Sequence, residues 1–374
     1  MINTPLTTPL DSWHRQHGAR MVPFAGYAMP VQYDFTGTLA TRCKGGVMAE
    51  HLHCREKAAL FDVSHMGQAM LRGADAAAAL ERLVCGDIAG LKPERQRYTL
   101  LTTAAGTILD DLMVANLGAE GLFVVVNASR KMVDFAHIGA VAPVTELTDR
   151  ALLALQGPMA AAVMARIAPG AAELPFMGIA RLTVADVPCL VSRSGYTGED
   201  GYELSVPAGQ AADLADRLLE QPEIVPAGLG ARDSLRLEAG LCLYGNDIDE
   251  TTSPIDAGLT WVISKRRKTH WDFLGGEAVK ARLEEGPSRL RVGIRPDGRA
   301  PAREHTVNRA PDGQESMGEI TSGGFGPTLN GPMAMGYVRR DLSGDGSKLS
   351  LMVRGKPLPA TIVPLPFVPH RYVR

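Results

Sequence analysis

The chain has 374 residues, 45% of them hydrophobic, and a formal net charge of −2. That length is enough for several cores and suggests two or three domains, and that composition excludes an intrinsically disordered chain. The near-neutral charge argues against nucleic acid or an anionic membrane as the dominant partner, because both are bound by clustered Lys and Arg.

One basic run, Lys265-Arg266-Arg267-Lys268, departs from this balance and reads as a solvated turn. The five cysteines (Cys43, Cys54, Cys85, Cys189, Cys242) are odd in number and none pairs at C-x-x-C spacing. Scattered thiols of this kind suit a reducing compartment and give no zinc or redox motif. Met1-Ile2-Asn3-Thr4-Pro5 lacks the basic start and apolar run of a signal peptide, and is too short and Arg-poor for a transit peptide. No apolar stretch approaches the ~18 residues that span a bilayer. The expected location is the cytoplasm.

In chain order, Gly67 to Leu71 reads as a strand and Ala74 to Val84 as an amphipathic helix with Leu80, Leu83 and Val84 on one side. Leu112 to Leu117 and Leu122 to Val126 form a hairpin around Gly118-Ala119-Glu120-Gly121. Gln156-Gly157-Pro158 opens a helix to about Ile167, which Pro169-Gly170 ends. A second hairpin runs from Cys189 to Ser192, turns through Gly195 to Gly201, and returns along Tyr202 to Val206. Helices follow at Gln210 to Leu219, Leu229 to Ala239 (capped by Gly240) and Glu277 to Glu285. From about Leu290 short strands with frequent Gly and Pro predict a small all-β barrel or sandwich. No internal repeat or low-complexity tract is visible. Hairpins interleaved with helices indicate α+β, not a doubly wound parallel sheet.

Asp110 and Asp111 abut apolar runs at the start of the first hairpin. Neighbours in a strand point to opposite faces, so one carboxylate should face inward and the other out. An inward carboxylate needs partners or a task; turn or cap hydrogen bonding is the simpler reading. Folding the hairpin at 118–121 pairs residues whose numbers sum to about 238 or 239, which sets Asn127 beside Asp111 or Leu112. Glu203 shares a strand face with Ser205 and would ordinarily meet solvent. Tyr196, across the turn, would let an aromatic ring and a carboxylate meet a flat amino-pyrimidine. The Gly-rich string 195–201 joins strands and does not open a helix, so it is a turn and not a phosphate loop. Arg232 and Arg236, with acids at 233 and 238, fit a helical ion-pair network; Arg232 in the first turn would alternatively clamp a carboxylate tail. Asp62, Ser64 and His65 lie close together, but one His makes no metal site and no Gly-x-Ser-x-Gly elbow is present.

As ordered strings these segments resemble the glycine cleavage T-protein family. They are Met21-Val22-Pro23-Phe24-Ala25-Gly26, Leu60-Phe61-Asp62-Val63-Ser64-His65-Met66-Gly67, Leu109-Asp110-Asp111-Leu112 and Leu155-Gln156-Gly157-Pro158. Further along come Gly195-Tyr196-Thr197-Gly198-Glu199-Asp200-Gly201, the stretch Gly230 to Gly240, Leu243 to Asp249, Ile320 to Gly324 and Pro366-Phe367-Val368-Pro369. The likeness covers nearly the whole chain in family order.

The resemblance implies a three-domain α+β cloverleaf around a central folate cavity. Two domains would carry antiparallel sheets and the last a jelly-roll-like β barrel. We divide the chain accordingly into residues 1–280 (two interleaved α+β domains that bind folate) and 286–374 (barrel). The implied reaction moves the methylene of an aminomethyl group from the lipoyl arm of H protein to tetrahydrofolate. Ammonia is released and 5,10-methylenetetrahydrofolate forms. Tetrahydrofolate would be a co-substrate, with no metal required. By position, Asp111 would be the catalytic residue. Tyr98, Met113, Asn127, Phe176, Tyr196, Glu203, Arg232 and Tyr372 would bind folate or line its cavity. Phe176 departs from relatives that carry Tyr there, which should keep stacking and lose a hydrogen bond. The run Lys265 to Lys268 becomes a candidate for attracting an acidic H protein or a polyglutamate tail. The alternatives are a folate-dependent demethylase of a small methylated compound and a folate-binding module without transfer activity. The Asp-Asp context of Asp111 disfavours the second.

Overall fold

The structure, a computed structural model, describes residues 4–311 and 313–373; the first three residues of the N-terminal stretch read above lie outside them. Two large sheets and a barrel organise the chain. The six-stranded sheet has the spatial order Ile179–Val184, Val187–Ser192, Gly201–Pro207, Arg150–Gln156, Ala58–Asp62, Ile224–Pro226. The five-stranded sheet runs Arg95–Thr102, Ile108–Asn116, Leu122–Val126, Gly67–Leu71, Val144–Glu146. Both are antiparallel except at one edge, where Ile224–Pro226 pairs parallel to Ala58–Asp62. A three-stranded sheet near the N-terminus also contains a parallel pair, Leu6–Thr7 with Tyr27–Tyr33. The fold class is α+β with a closed six-stranded barrel at the C-terminal end.

Each large sheet buries one face under helices. In Ala160–Ile167, Ala160, Val163 and Met164 fall at helical spacing and pack on Leu153, Leu155 and Val206. Ala211–Leu219 covers the same sheet with Leu214 and Leu218. Leu80, Leu83, Phe135 and Ile138 cover Leu112, Val114, Val124 and Val126 of the other sheet. Each such side chain contributes about 1.5–3 kcal/mol by leaving water. The opposite faces of the two sheets meet through Met70, Ala115 and Phe123 against Ile179 and Leu190. The small cavity described below lies between these inner faces.

The first hairpin pairs Leu112 with Val126 and Asn116 with Leu122, the expected sum of 238. Helix Leu229–Glu238 ends as read: the Leu241 N–H donates to Arg236 O (3.0 Å) and the Gly240 N–H to Leu237 O (3.0 Å), a Schellman closure. It bridges the sheets and the barrel, packing Leu237 on Met333 and Met335.

Three local readings need correction. The helix expected over 74–84 spans only Ala76–Glu81. Arg267 reaches the carbonyls of Glu81 (2.6 Å) and Val84 (3.2 Å) and holds the chain that follows the shortened helix. The helix after Gln156 starts at Ala160, so Pro158 precedes it. Gly157 has φ +133°, and an added Cβ there would fall 2.3 Å from Lys57 O and 2.7 Å from Cys54 O. Gly157→Ala should therefore cost about 2–4 kcal/mol, read from the denaturant midpoint.

The third correction concerns the basic run. Arg267 is 1% exposed and pairs with Asp272 at 2.6 Å, and Arg266 pairs with Glu81 and, at 2.7 Å, with Asp87. Half of the supposed solvated turn is structural cement for the Glu81–Asp87 segment.

All five cysteines are buried and unpaired. Among the described residues no helix is long and apolar enough to cross a membrane.

Candidate active site

Strand Ile108–Asn116 carries both acids and exposes them to different surroundings. Asp110 faces helix Lys131–Gly139, where its carboxyl lies against that of Asp134; Asp111 meets the Tyr98 hydroxyl on the neighbouring strand. The expected outward carboxylate does not exist: Asp110 is fully buried and Asp111 is half-buried. The sheet is covered on both sides, so alternation sends each acid into protein.

Asn127, at the end of the partner strand, holds the two together. Its Nδ2 donates to Asp111 Oδ1 at 2.7 Å and to Asp110 Oδ1 at 2.9 Å. Burial pushes Asp111 up to about 7, against the pull of the Asn127 and Tyr98 hydrogen bonds. Near neutrality Asp111 is therefore able to hold or release a proton. Tyr98 stacks on Trp261 (centroids 5.7 Å apart, planes at 21°), a ring that is 66% exposed.

Between the sheets lies a small cavity of about 10 Å³, lined by Gln96, Met113, Val125, Leu152, Ser192, Glu203 and Ser205. Met113 projects from the Asp111 strand and Glu203 from the opposite sheet. Glu203 does not face solvent; it accepts a hydrogen bond from Ser194 Oγ at 2.9 Å. Gln96 Nε2 is buried without a partner.

Tyr196 donates its hydroxyl to Cys242 O, and its ring lies under the Arg232 guanidinium at 4.6 Å. What Tyr196 and Glu203 share is thus Arg232, on whose charge both act. Arg232 does not join the expected helical network. Arg236 takes that role with Asp233 (2.8 Å) and Asp247 (2.8 Å), while Glu238 turns to Arg55 and His51. Arg232 Nη1 is buried without an acceptor, and burial lowers its affinity for a proton. A buried guanidinium nitrogen without an acceptor is costly and marks a place prepared for an anion.

Phe176 and Tyr372 stack with centroids 4.6 Å apart and planes at 19°. The C-terminal tail delivers Tyr372: the Arg371 N–H donates to Gly198 O (2.8 Å), and His370 Nε2 meets Ala239 O at 2.8 Å. Phe176 is tied to the Tyr98 strand, since Arg95 Nη2 donates to its carbonyl at 3.0 Å.

The glycines of 195–201 serve packing. Gln156 lies across the loop, donating to Ser194 O (2.9 Å) and accepting from Thr197 Oγ1 (2.9 Å), and a Cβ on Gly195 would sit 1.8 Å from its Oε1.

Sequence reasoning missed Trp261, Gln96, Ser194 and Asp134. Only Asp134 left a signal: with Ile138 at i+4 it places an acid on the buried side of an amphipathic helix. Among the described residues no cluster of His, Cys, Asp and Glu has the geometry of a metal site.

Comparison with known proteins fits this architecture. Residues 10–267 match the family described as GCVT N-terminal domain, and residues 289–369 match the glycine cleavage T-protein C-terminal barrel domain. A mitochondrial aminomethyltransferase of Gallus gallus is 46% identical, covering 98% of this chain and 93% of its own. One from Solanum tuberosum is 43% identical, covering 98% and 91%. The crystal structure of the glycine cleavage system aminomethyltransferase T from Bartonella henselae superposes with a TM-score of 0.91 at 41% identity, covering 99% of this chain and all of that one. Fold, site and relatives define the class as an aminomethyltransferase enzyme. The chain belongs to the glycine cleavage T-protein family.

Proposed function

We propose that this enzyme transfers the methylene of an aminomethyl group from the lipoyl arm of H protein to tetrahydrofolate, releasing ammonia. The observation that carries the reading is the Asp111 carboxyl, fixed by Asn127 and Tyr98 and poised near 7 on the strand that sends Met113 toward Glu203 and the unpartnered Gln96 Nε2. In the reaction the folate N5 attacks the methylene as the amine leaves, and N10 then displaces the lipoyl sulfur as a thiol, so two C–N bonds form as one C–N and one C–S bond break and the N5 and N10 protons end on ammonia and the dihydrolipoyl arm. Asp111 would orient N5, take up its proton and offset the iminium-like charge. Holding both substrates in line supplies much of the remaining acceleration.

Glu203 supplies an acceptor for the amino-pyrimidine edge of the pterin, beside Met113. Arg232 supplies the missing cation for the glutamyl carboxylates, a bidentate pairing its unsatisfied Nη1 favours. Tyr98, Asn127 and Tyr196 bound the reacting end, and the Phe176–Tyr372 stack bounds the tail. No metal takes part. H protein attraction cannot rest on the whole basic run, because Arg266 and Arg267 are already paired; it falls to Lys265 and Lys268. We place the folate-binding unit at 1–280 and the barrel unit at 286–374. We assign the enzyme to the cytoplasm, a compartment that keeps five buried thiols reduced; the relatives named above are mitochondrial.

The test is ammonia release from aminomethyl-loaded H protein with and without tetrahydrofolate. Release should need both. Demethylation of a free methylated compound without H protein would overturn the reading in favour of a demethylase. Arg232→Ala should raise KM for tetrahydrofolate by about 10–100-fold with kcat nearly unchanged, since it removes a charge-assisted contact made equally before and during reaction. The same change should leave stability equal or higher, as an unpaired buried charge is lost.

A further inference from the structure

We propose that Asp110 and Asp134 share one proton, and that this pair is the positioning device that fixes Asn127 and, through it, Asp111. The inference rests on the reading of Asp111 as the reacting carboxylate.

The hydrogen-bond inventory leaves little choice. Asp134 is fully buried, and no N–H or hydroxyl donates to either of its oxygens. What it meets is the Asp110 carboxyl, which is fully buried too. Two carboxylates in contact cannot both be ionised without repulsion and loss of hydration, and they can hydrogen-bond only if one carries a proton.

The surroundings decide which one. Asp134 sits in the first turn of helix Lys131–Gly139, where the backbone dipole favours negative charge. The Arg130 guanidinium acts on it from the helix start, while itself paired to Glu250 at 2.7 Å and lying over the Tyr244 ring at 5.3 Å. Asp110 has Asp134 and Asp111 as neighbours and, among the described residues, no cation in salt-bridge contact. Burial pushes both acids up, and the neighbouring Asp134 carboxyl pushes Asp110 further. The proton therefore resides on Asp110 and points to Asp134.

The consequence runs along the chain of donors. A neutral Asp110 still accepts from Asn127, by Nδ2–H at 2.9 Å and by the backbone N–H at 3.3 Å. That commits one Nδ2 hydrogen of Asn127 to Asp110 and leaves the other for Asp111 Oδ1 at 2.7 Å. The amide cannot flip without placing its carbonyl oxygen against two acids. Asp111 is thus held by a donor whose orientation is set one residue further back. The groups facing this array are Arg130, Glu250 and Tyr244 from the helix side and Asp111 with Tyr98 from the sheet.

Infrared spectroscopy of the folded, substrate-free protein tests the shared proton directly. At about pH 8 Asp111 and Glu50, both near 7, are mostly ionised. A carboxylic-acid C=O band should persist at that pH, survive in Asp111→Asn and vanish in Asp110→Asn. Absence of the band, or its survival in Asp110→Asn, overturns the proposal. Positioning is tested by the pH dependence of ammonia release. Asp134→Asn lets Asp110 release the shared proton and carry the charge beside Asp111, so the acid limb governed by Asp111 should move up by about one pH unit or more. A purely structural acid would lower activity without moving the limb, and superimposable profiles overturn the positioning role. Asp134→Asn keeps the volume and serves in both arms should Asp110→Asn fail to fold. A wild-type protein that shows the band yet releases no ammonia contradicts the functional reading, and leaves the proton assignment standing.

Discussion

Asp111→Asn should lower methylene transfer by about 10²–10⁴-fold, the range of a lost acid–base group, while making the protein more stable at pH 8. The stability half follows from linkage. In the folded chain the Asp111 carboxyl is pushed up to about 7, chiefly by burial; in the unfolded chain it returns to about 3.9. Below the unfolded value both states are protonated, and Asp111 resembles Asn. As pH rises from there the unfolded state releases its proton first, so wild-type stability declines, and the decline ends above about 7. The gap between variant and wild type should open near pH 4 and level off above pH 7. Its size should be on the order of 1–3 kcal/mol, discounted because the side chain is only half-buried. Thermal melts across pH and single-turnover ammonia release measure the two halves. Transfer within about threefold of wild type would remove Asp111 from the chemistry; a gap independent of pH would remove the linkage.

The contacts behind this prediction were partly legible in the residues. A hairpin with a short Gly-bounded loop has one natural register, and period-two alternation then assigns neighbours; hence Asn127 lies beside Asp111. Helix Leu229–Glu238 and the barrel carry equally local signals. What stayed hidden depends on partners far along the chain. Arg266 and Arg267 look solvated until Glu81 and Asp87, nearly two hundred residues earlier, are brought beside them. Arg232 resembles an ordinary ion-pair member until Asp247 claims Arg236 and leaves Arg232 over Tyr196. Tyr372 reaches Phe176 only because the tail docks on Gly198 and Ala239. Both acids are enclosed because a second sheet covers the face a lone hairpin would show to water.

That same long-range wiring makes Arg55→Met the largest expected loss of stability. Arg55 Nη1 donates to Glu199 Oε1 and to Thr197 O at 2.7 Å each, and Nη2 donates to Glu238 Oε2 at 3.0 Å. Its side chain is 5% exposed and both acids are fully buried. Removing one partner of a buried network leaves uncompensated charge and costs about 3–5 kcal/mol. His51 and the Thr328 N–H still hold Glu238, and Arg371 still holds Glu199, so the cost should fall within that range and not beyond it. Calorimetry should show Tm lowered by about 5–15 °C. Arg55→Met with Glu199→Gln and Glu238→Gln should recover much of the loss, because no charge is then stranded; failure to recover would mean that packing, not charge, sets the cost. The pH signature is separate. Burial raises Glu238, but His51, Thr328 and Arg55 together bring it down to about 2. Its contribution is therefore present above the ordinary Glu value and lost as pH falls toward 2, so the variant's deficit should shrink in that window. Function should follow by position. Arg55 anchors the loop that carries Tyr196 and donates beside the Glu199 that receives Arg371, next to Tyr372. Below its melting transition Arg55→Met should raise KM for tetrahydrofolate while the acid limb set by Asp111 stays in place.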